Sequence, residues 1–313
     1  YLRAENRYTE SWMADTSTLQ AQLYREMVGY LKETDQSVPR KKGDYYYYAR
    51  TEKGKNYRMY CRRKGSMQGA EEVILDLNAE AVGKDYLALG NYQLSPDQRY
   101  LAYSLDTSGA ESYTVFIKDL HTGQLLRDRL EGAYYSLEWA ADNRTLLYNT
   151  IDGANRPYKL FRHTLGQDQV ADALVYHEPD ERFNVEVEKT SSGKYLMVHL
   201  ESNTTSENHF IPADRPTQAP RLIQKRVQGL LYDVQHHGDR WIISTNDQAN
   251  DFRVVQAPLS QADRSHWQPL IPERAQSQLD SIQVFKDYMT LSYRTDARIF
   301  VQAYDFKTGK QWE

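Results

Sequence analysis

The feature that most constrains this chain is an internal repeat in which a short polar turn is followed by an apolar strand. Six copies of this unit occupy residues 43–48, 96–103, 142–148, 192–198, 238–244 and 286–291. The strand residues that correspond to one another are Tyr46, Leu101, Leu146, Leu196, Ile242 and Met289. Their spacings along the chain are 55, 45, 50, 46 and 47 residues. A period held this closely indicates a repeat architecture.

A second internal similarity, independent of the first, fixes the register of the repeat. Residues 118–123 are similar to residues 304–309, and Asp119 and Asp305 are 186 residues apart, which is four periods of 46.5. Four strands fit into each period, and in the second unit we expect them at 92–94, 100–105, 113–119 and 125–130. A small twisted sheet cannot bury both of its faces alone, so such sheets stack around an axis as propeller blades. We therefore predict an all-β fold, a β-propeller with about six blades.

The residues before the repeat have the pattern of two helices. Apolar residues recur at every fourth position from Leu19 to Leu31. Ser17 and Gln20 have the spacing of a capping box, in which two side chains satisfy each other's free amides. This pattern predicts a helix from about Thr18 to Lys32.

The predicted domains are a helical segment at 1–36 and a propeller at 37–313. Residues 311–313 reach only the start of the sixth unit's outer strand, so we expect a seventh blade to be missing. The chain starts at Tyr1, without Met and without a signal peptide. These features predict an excised piece of a longer protein.

Alternating strand directions divide the connections between two faces. Short turns between first and second strands lie on one face. The loops between second and third strands lie on the other face together with the crossovers between blades, and they are longer and more polar. We expect those loops at 51–56, 106–112, 152–157, 202–208 and 246–251. Because binding residues are concentrated on loops held by a rigid scaffold, the second face is predicted to meet a partner.

Composition and charge exclude several classes of function. There are 39 Lys and Arg against 43 Asp and Glu, and the basic clusters at 40–42 and 62–64 accompany no nucleic-acid motif. No apolar run approaches the roughly 18 to 20 residues that span a bilayer. The single cysteine, Cys61, cannot form an intrachain disulfide and favours a reducing, cytoplasmic compartment. We expect neither nucleic acid nor a membrane as a partner.

Motifs for catalysis and cofactor binding are also absent. The chain has no G-x-G-x-x-G turn, no Gly-Lys-Ser/Thr, no H-E-x-x-H and no G-x-S-x-G nucleophile elbow. His236 and His237 are adjacent on a strand, so they point to opposite faces and cannot bind one metal together. We expect no catalytic residue, no cofactor and no metal in this chain.

Short segments spread over essentially the whole chain carry a family resemblance: 1–6, 60–65, 94–97, 139–142, 156–163, 178–181, 238–240, 245–247 and 270–272. They resemble the non-catalytic half of the oligopeptidase B group in the prolyl oligopeptidase family of serine peptidases. In that family a seven-bladed propeller covers an α/β-hydrolase domain, which follows it in the chain and carries the Ser-Asp-His triad. The resemblance implies two partners, this C-terminal hydrolase domain and short peptides that the complete enzyme cleaves after Arg or Lys. The present chain lacks the triad and should be inactive alone.

Three charged residues lie on the predicted partner face. Asp85 is in a crossover and fits the family pattern, and Asp152 and Arg156 are in one long loop. They are candidates for an interdomain contact; the alternative is ordinary solvated loop charges, since exposed pairs contribute only about 0 to 1 kcal/mol. The sequence departs from the family after Asp106, where relatives often have two Arg residues and this chain has none in 107–111.

Three functions remain open at this point. A propeller over a peptidase active site would admit short unfolded peptides and exclude folded proteins. A freestanding propeller would be a scaffold that binds proteins. A propeller glycosidase would use paired carboxylates near the axis. A nucleophile elbow encoded beyond Glu313 would favour the first.

Overall fold

The computed structural model describes all residues from Tyr1 to Glu313. The chain divides into two compact units, residues 1–83 and residues 84–313. Strands dominate the chain, and helices are confined mainly to its first thirty residues. None of the helices has the length and apolar character needed to cross a bilayer.

Unit 1 begins with two short helices. Helix α1 spans Leu2–Met13, a 3-10 turn spans Ala14–Thr16, and helix α2 spans Ser17–Gly29. Helix α2 confirms the expected helix, although it ends three residues before Lys32. Neither helix has a buried residue, and the apolar stripe of α2 is exposed to solvent.

The capping box expected at the start of α2 is wrong. The Ser17 hydroxyl donates to the Ala14 carbonyl at 3.0 Å, and the Gln20 amide donates to the Thr16 hydroxyl at 2.7 Å. A capping box forms where the first amides of a helix have no partner. Here the Ser17 amide already donates to the Ala14 carbonyl within the preceding turn.

Unit 1 continues with the first four-stranded sheet. Strands β1 (Arg40–Lys42), β2 (Tyr45–Arg50), β3 (Met59–Lys64) and β4 (Glu71–Asp76) pair antiparallel in chain order and are followed by the short helix α3 (Leu77–Glu80). Alternating side chains of β3 are buried, and Met59 and Cys61 pack there against Tyr48 of β2. Burial raises the pKa of the Cys61 thiol, so this residue acts as a small apolar core residue.

Unit 2 contains nineteen strands, each paired antiparallel with its neighbours. They are β5 (Ala88–Leu94), β6 (Tyr100–Asp106), β7 (Tyr113–Asp119), β8 (Leu125–Trp139), β9 (Thr145–Ile151), β10 (Pro157–Thr164), β11 (Ala173–His177), β12 (Asn184–Lys189), β13 (Tyr195–Glu201), β14 (Ser206–Pro212), β15 (Arg221–Gln224), β16 (Tyr232–His237), β17 (Arg240–Thr245), β18 (Arg253–Pro258), β19 (Gln268–Ile271), β20 (Gln278–Val284), β21 (Tyr288–Thr295), β22 (Arg298–Asp305) and β23 (Gln311–Trp312). The four strands expected in the second unit are all present. Each predicted period corresponds to one four-stranded blade, and we number the blades one to six in chain order.

Blades two and three are joined into one sheet of seven strands, which the repeat alone does not predict. The outer strand was expected to end at Leu130, but β8 continues to Trp139 and supplies the inner strand of the next blade. Its first part pairs with β7 and its last part with β9, and Ala133 pairs with both. Gly132 adopts φ +69°, so the strand bends there without a turn. No other pair of blades shares a strand.

The turns between first and second strands share one backbone conformation in blades two to five. A residue with φ near +60° to +70° occupies each turn in unit 2 from blade two to blade five: Gln98, Asn143, Gly193 and Gly238. Left-handed φ is most accessible to Gly and Asn, which explains the polar composition of these turns.

Each pair of adjacent blades in unit 2 encloses its own apolar core. Trp139 and Ile117 are buried between blades two and three, Val198 and Leu160 between blades three and four. Trp241 and Met197 fill the next interface, and Met289, Ile242 and their neighbours fill the last. Burial of these side chains between blades drives the stacking, because the two faces of a blade would otherwise be exposed.

Candidate functional site

Two sets of connections lie at opposite ends of the strands in unit 2. The turns 95–99, 140–144, 190–194, 238–239 and 285–287 join first to second strands, and we call their side the turn face. The loops 107–112, 152–156, 202–205 and 246–252 join second to third strands, and the crossovers 178–183, 225–231 and 272–277 join successive blades on the same side. We call that side the loop face. The predicted division of loops is confirmed, except that blade six has only residues 296–297 there.

Arg156 fastens a long loop to a crossover on the loop face. Its Nε donates to Asp152 Oδ2 at 3.0 Å, so the structure brings these two predicted residues together. Its Nη1 donates to the carbonyl oxygens of Phe183, Asp180 and Glu178 at 2.8, 3.2 and 3.3 Å. The Arg156 side chain is only 13% exposed. Its observed bonds therefore hold the loop face together.

The Asp152 carboxylate accepts hydrogen bonds from within its own loop. Burial alone would raise the pKa of Asp152, but the backbone amides of Ala154 and Arg156 and the guanidinium of Arg156 lower it below its ordinary value. A carboxylate that accepts several N–H groups stays ionised.

Arg226 is a second guanidinium bound to the same crossover, and the sequence analysis missed it. Its Nη2 donates to Glu178 Oε2 at 2.6 Å, and its Nε donates to Glu207 Oε2 at 3.3 Å. Its guanidinium lies over the Phe183 ring, 3.9 Å from the centroid. Burial opposes ionisation of Glu207, but His209 and Arg226 lower the pKa of Glu207 to about 2. The segment 178–181, already notable for its resemblance, was the only signal in the sequence.

Asp85 occupies a different environment from the other two predicted residues. It lies in the exposed segment before β5 and forms no hydrogen bond or ion pair. No contact joins it to Asp152 or Arg156. Its carboxylate is therefore available to a partner, whereas the charged groups of Asp152 and Arg156 are already engaged with each other.

The loop after Asp106 is ordered by that residue itself. The buried Asp106 carboxylate accepts from the amides of Ser108, Gly109 and Glu111 at 2.7, 3.1 and 2.9 Å. Burial opposes its charge, yet these amides lower the pKa of Asp106. Glu111 adopts φ +57° as the loop closes. Asp106 thus fixes the loop 107–112, which contains no Arg residue.

The first strands of blades four and five and the second strand of blade four carry a group of carboxylates that the sequence analysis did not single out. Glu186 and Glu188 alternate with buried valines on β12, and Asp233 and Glu201 lie on the neighbouring strands β16 and β13. None of the four forms a hydrogen bond with a Lys or Arg side chain, and the basic neighbour of Asp233 is His199, whose Nδ1 lies 3.9 Å from Asp233 Oδ1. Solvent reaches Glu188 and Glu201, but desolvation by the surrounding protein and the charges of Asp233 and Glu186 raise the pKa of both, against the attraction of His199. We call these four residues the acidic cluster.

Serine and histidine meet twice in unit 2, and neither pair is a nucleophile with an oriented base. Ser192 Oγ lies 2.8 Å from Nδ1 of His236, and no carboxylate contacts that ring. Ser265 lies 3.1 Å from His266, but its hydroxyl donates to Asp263, the residue that caps this 3-10 turn. A triad requires the serine to bond to the base while the acid holds the base's other nitrogen. Neither geometry supports acyl transfer.

A series of four-stranded antiparallel sheets that follows two helices along the chain is the architecture of a β-propeller domain. Residues 1–313 match the family described as "Prolyl oligopeptidase, N-terminal beta-propeller domain" over their whole length. The chain therefore belongs to the prolyl oligopeptidase family and has the propeller fold predicted from the repeat.

Similar proteins agree with this assignment. The chain is 36% identical over 95% of its length to "Dipeptidyl aminopeptidase BI" of Pseudoxanthomonas mexicana and 35% identical over 94% to "Protease 2" of Moraxella lacunata. It covers 43% of each relative, less than half of their length. Among solved structures, oligopeptidase B from Leishmania major superposes with a TM-score of 0.92 at 30% identity, over 98% of this chain and 44% of that one. Oligopeptidase B from Trypanosoma brucei, described as a closed form with covalently bound antipain, gives a TM-score of 0.91 at 29% identity, over 97% of this chain and 44% of that one.

Proposed function

We propose that this chain is the gating propeller of a serine oligopeptidase, which covers a C-terminal hydrolase domain and limits access to short peptides. The observation that carries the proposal is the match of all 313 residues to the propeller domain of a peptidase family. Relatives named as peptidases are more than twice as long, which leaves room for a catalytic domain in such a protein. Membership of this family also argues against the glycosidase and freestanding scaffold alternatives.

The proposal assigns residues 1–36 to a helical segment and residues 37–313 to the propeller. The loop face is the side that would meet the hydrolase domain. Asp85 is its unengaged charge, whereas Asp152 and Arg156 would act by keeping the loop rigid and in position. The buried free thiol of Cys61 fits a reducing, cytoplasmic setting.

The acidic cluster supports a preference for basic peptides. Four carboxylates that form no hydrogen bond with a Lys or Arg side chain produce a negative potential along β12, β13 and β16. Such a field concentrates cationic ligands and raises their rate of association, and added salt screens it. Cleavage after Arg or Lys is part of this proposal.

Gating is tested in the whole protein by charge reversal on each face. Asp85→Lys alters the loop face, and Asp239→Lys alters the turn face, where Asp239 is 91% exposed. We expect Asp85→Lys to change kcat/KM for a peptide of about ten residues several-fold more than for a one-residue arginine amide, since only bulky substrates require opening. Asp239→Lys should change neither. Equal effects of Asp85→Lys on both substrates would contradict gating.

The contribution of the acidic cluster is tested separately. Glu186→Gln together with Glu188→Gln should raise KM for a peptide rich in Lys and Arg, and the effect should shrink at high salt. The matched control is Asp168→Asn with Asp214→Asn, which removes two exposed carboxylates from connections between third and fourth strands in unit 2. If both double variants behave alike, the cluster does not attract substrate.

A further inference from the structure

Three tyrosines meet at the loop-face end of blades two and three. Tyr113 begins β7 directly after loop 107–112 and pairs with Ala133 of β8. The two residues that follow Ala133, Tyr134 and Tyr135, therefore lie at the same end of the strands. Ring centroids are 4.5 Å apart for Tyr134 and Tyr135 and 5.0 Å apart for Tyr113 and Tyr135. We call these three residues the tyrosine cluster.

The contact between Tyr134 and Tyr135 is unusual for neighbouring residues of a strand. Successive side chains normally point to opposite faces of a sheet. The pairing of β8 with β9 shifts in register between Ala133 and Leu137, and the two rings contact each other within this irregular segment. Asn91 Nδ2 donates to the Tyr135 carbonyl at 2.7 Å and so ties the segment to β5.

The tyrosine cluster presents an accessible aromatic surface. Tyr113 is 3% exposed, and its hydroxyl donates to the Tyr135 hydroxyl at 2.8 Å. This bond orients the Tyr135 ring, which is itself 42% exposed. An exposed aromatic ring attracts cations, and a ring already fixed in place loses little entropy on binding one.

Two exposed carboxylates flank the cluster. The Tyr134 hydroxyl donates to Glu111 Oε2 at 3.4 Å. Glu186 approaches from the next blade, where Ser136 Oγ accepts from the Val187 amide at 2.8 Å. Desolvation raises the pKa of Tyr134, and the negative charges of Glu111 and Glu186 raise it further. Both carboxylates therefore act on the same ring.

The segments that carry the cluster and its two carboxylates hold no cation of their own. Residues 88–92, 106–113, 131–136 and 184–188 contain neither Lys nor Arg. The basic side chains within two residues of these segments are each paired with an acid, Arg129 with Glu131, Arg182 with Asp180 and Lys189 with Glu138.

One further basic residue, His199, lies opposite Glu186 in the pairing of β12 with β13. Its Nδ1 is 2.6 Å from Asn208 Oδ1, so that nitrogen is engaged within blade four. The Glu111 carboxylate has only the Tyr134 hydroxyl as a hydrogen-bond partner. Two accessible carboxylates beside an exposed ring give this surface a negative potential, which favours a cation.

We propose that the tyrosine cluster, with Glu111 and Glu186, binds the guanidinium of an arginine side chain in a peptide. The guanidinium stacks on the exposed Tyr135 ring and donates to Glu111, and Glu186 adds negative charge. Arginine fits this surface better than lysine because its planar group can stack and donate at the same time. The inference rests on the proposed function, in which cleavage takes place in the hydrolase domain, so the arginine bound here is distant from the cleaved bond.

The test is NMR titration of the purified 313-residue chain with acetyl-Ala-Arg-Ala-amide and with the same peptide carrying citrulline in place of arginine. Citrulline has nearly the same shape and no charge. We expect the arginine peptide to bind at least about tenfold more tightly, to shift resonances of residues 111–113 and 133–136, and to bind more weakly at high salt. No bond is cleaved in this measurement, so its failure and a failure of gating are separate results.

Variants separate the ring from the carboxylate. Tyr135→Leu should weaken binding at least about fivefold, whereas Tyr135→Phe keeps the ring and should stay within about twofold of wild type. Glu111→Gln should weaken binding about threefold to fivefold. The controls are Tyr288→Leu and Asp239→Asn, at exposed positions on the turn-face side, and they should leave binding unchanged.

Several outcomes would overturn the proposal: equal binding of the arginine and citrulline peptides, equal effects of Tyr135→Leu and Tyr288→Leu, or shifts confined to other residues. Loss of binding in Tyr135→Phe as large as in Tyr135→Leu would also overturn it, because the ring would then not carry the interaction. The amide spectrum of each variant shows whether the fold is kept. Glu111→Gln is at an exposed position, so it tests the site even where Tyr135→Leu fails to fold.

Discussion

Among single residues, His163 in blade three has the most demanding electrostatic position. Its fully buried ring lies between two carboxylates, with Nδ1 2.7 Å from Asp172 and Nε2 3.0 Å from Asp128. Burial opposes its charge, but the hydrogen bonds to Asp172 and Asp128 outweigh that effect and raise the pKa of His163. The imidazolium form donates from both nitrogens and satisfies both acids.

The stability of the protein should therefore depend on the proton of His163. Because the folded-state pKa is raised, this contribution is complete below the unfolded pKa of about 6.5 and is lost as pH rises through the folded value. His163→Gln should lower the free energy of unfolding by about 3 kcal/mol at pH 6, since it leaves buried carboxylates without a cation. Urea unfolding at pH 6 and pH 9 should show a smaller difference between variant and wild type at pH 9.

The control for this experiment is His121→Gln, at an exposed position. It should leave stability within about 0.5 kcal/mol at both pH values. A cost of His163→Gln that is constant from pH 6 to pH 9 would contradict a charged histidine.

Gly90 in β5 lies where any side chain would clash with its neighbours. A Cβ there would lie 2.7 Å from the Ser104 hydroxyl and from the ring of Tyr113, which is itself 3% exposed. Gly90→Ala should cost about 1 to 3 kcal/mol, as overpacking does. Gly29→Ala, at the end of α2 with nothing within 4 Å, should be neutral or stabilising by up to about 1 kcal/mol. Thermal unfolding of the two variants compares them directly.

Residue-level sites were the least predictable part of the molecule. His163, Asp128 and Asp172 lie on three segments whose register no local pattern specifies. The pair formed by Asp152 and Arg156 could be selected because both residues belong to one loop, and their position four residues apart lets them meet. Their engagement with carbonyl groups of the next crossover depends on the stacking of two blades, which the sequence of either blade does not reveal.

At the scale of elements, the crossover 178–183 depends on Arg226. Glu178 is 2% exposed, so removing the guanidinium leaves a buried carboxylate unpaired. Arg226→Gln should cost about 3 kcal/mol at pH 7. Arg129→Gln is the control, because the ion pair of Arg129 with Glu131 is exposed and contributes at most about 1 kcal/mol.

The cost of Arg226→Gln should also change with pH. The folded pKa of Glu207 is depressed to about 2, so its contribution is present above the unfolded value of about 4.3 and is lost as pH falls towards 2. Urea unfolding at pH 7, 5 and 3 should show the difference between wild type and variant narrowing at pH 3. A difference that widens in acid would contradict the assignment of Glu207.

The helices and strands were well predicted where the sequence repeat determines them. They were poorly predicted at the connection between blades two and three and at the turn before α2. The second strands follow the repeat, and each begins within one residue of its expected position but continues one to four residues beyond the expected end. The extension of β8 beyond Leu130 was not predicted, because a glycine such as Gly132 usually marks the end of a strand. In the structure its left-handed φ lets the strand continue. The capping box failed because the preceding turn had already occupied the amide it needed.

At the scale of the whole molecule, a serine meets a histidine at two places, Ser192 with His236 and Ser265 with His266. The two Ser–His contacts lack either an acid on the histidine or a hydroxyl directed at it. We expect the 313-residue chain to hydrolyse neither benzoyl-arginine amides nor esters, and to remain unlabelled by organophosphonate probes. Mass spectrometry after incubation with such a probe checks this, with a known serine peptidase as the positive control. Stoichiometric modification at Ser192 or Ser265 would refute it.

The order and number of blades followed from the sequence because the repeat is longer than any local element. The cavity that the turns of blades four, five and six enclose did not, since each of the three turns contributes only a few residues to it. The sequence analysis treated His236 and His237 as a failed metal pair, and only stacking of blades four, five and six shows what surrounds them. Aligning the repeats shows what each blade has in common with the others. It does not show which residues of different blades meet in the folded structure.

The continuous strand β8 makes blades two and three mechanically inseparable. Elsewhere a tether pulled from its ends could peel one blade from the next at a crossover, extending the chain in steps of about one repeat. Residues 88–177 have no such crossover between their halves, because β8 is hydrogen-bonded into both. Under a pulling force this ninety-residue segment should unfold in one event. The chain should then lengthen by about two repeats at once, whereas each other blade should lengthen it by about one.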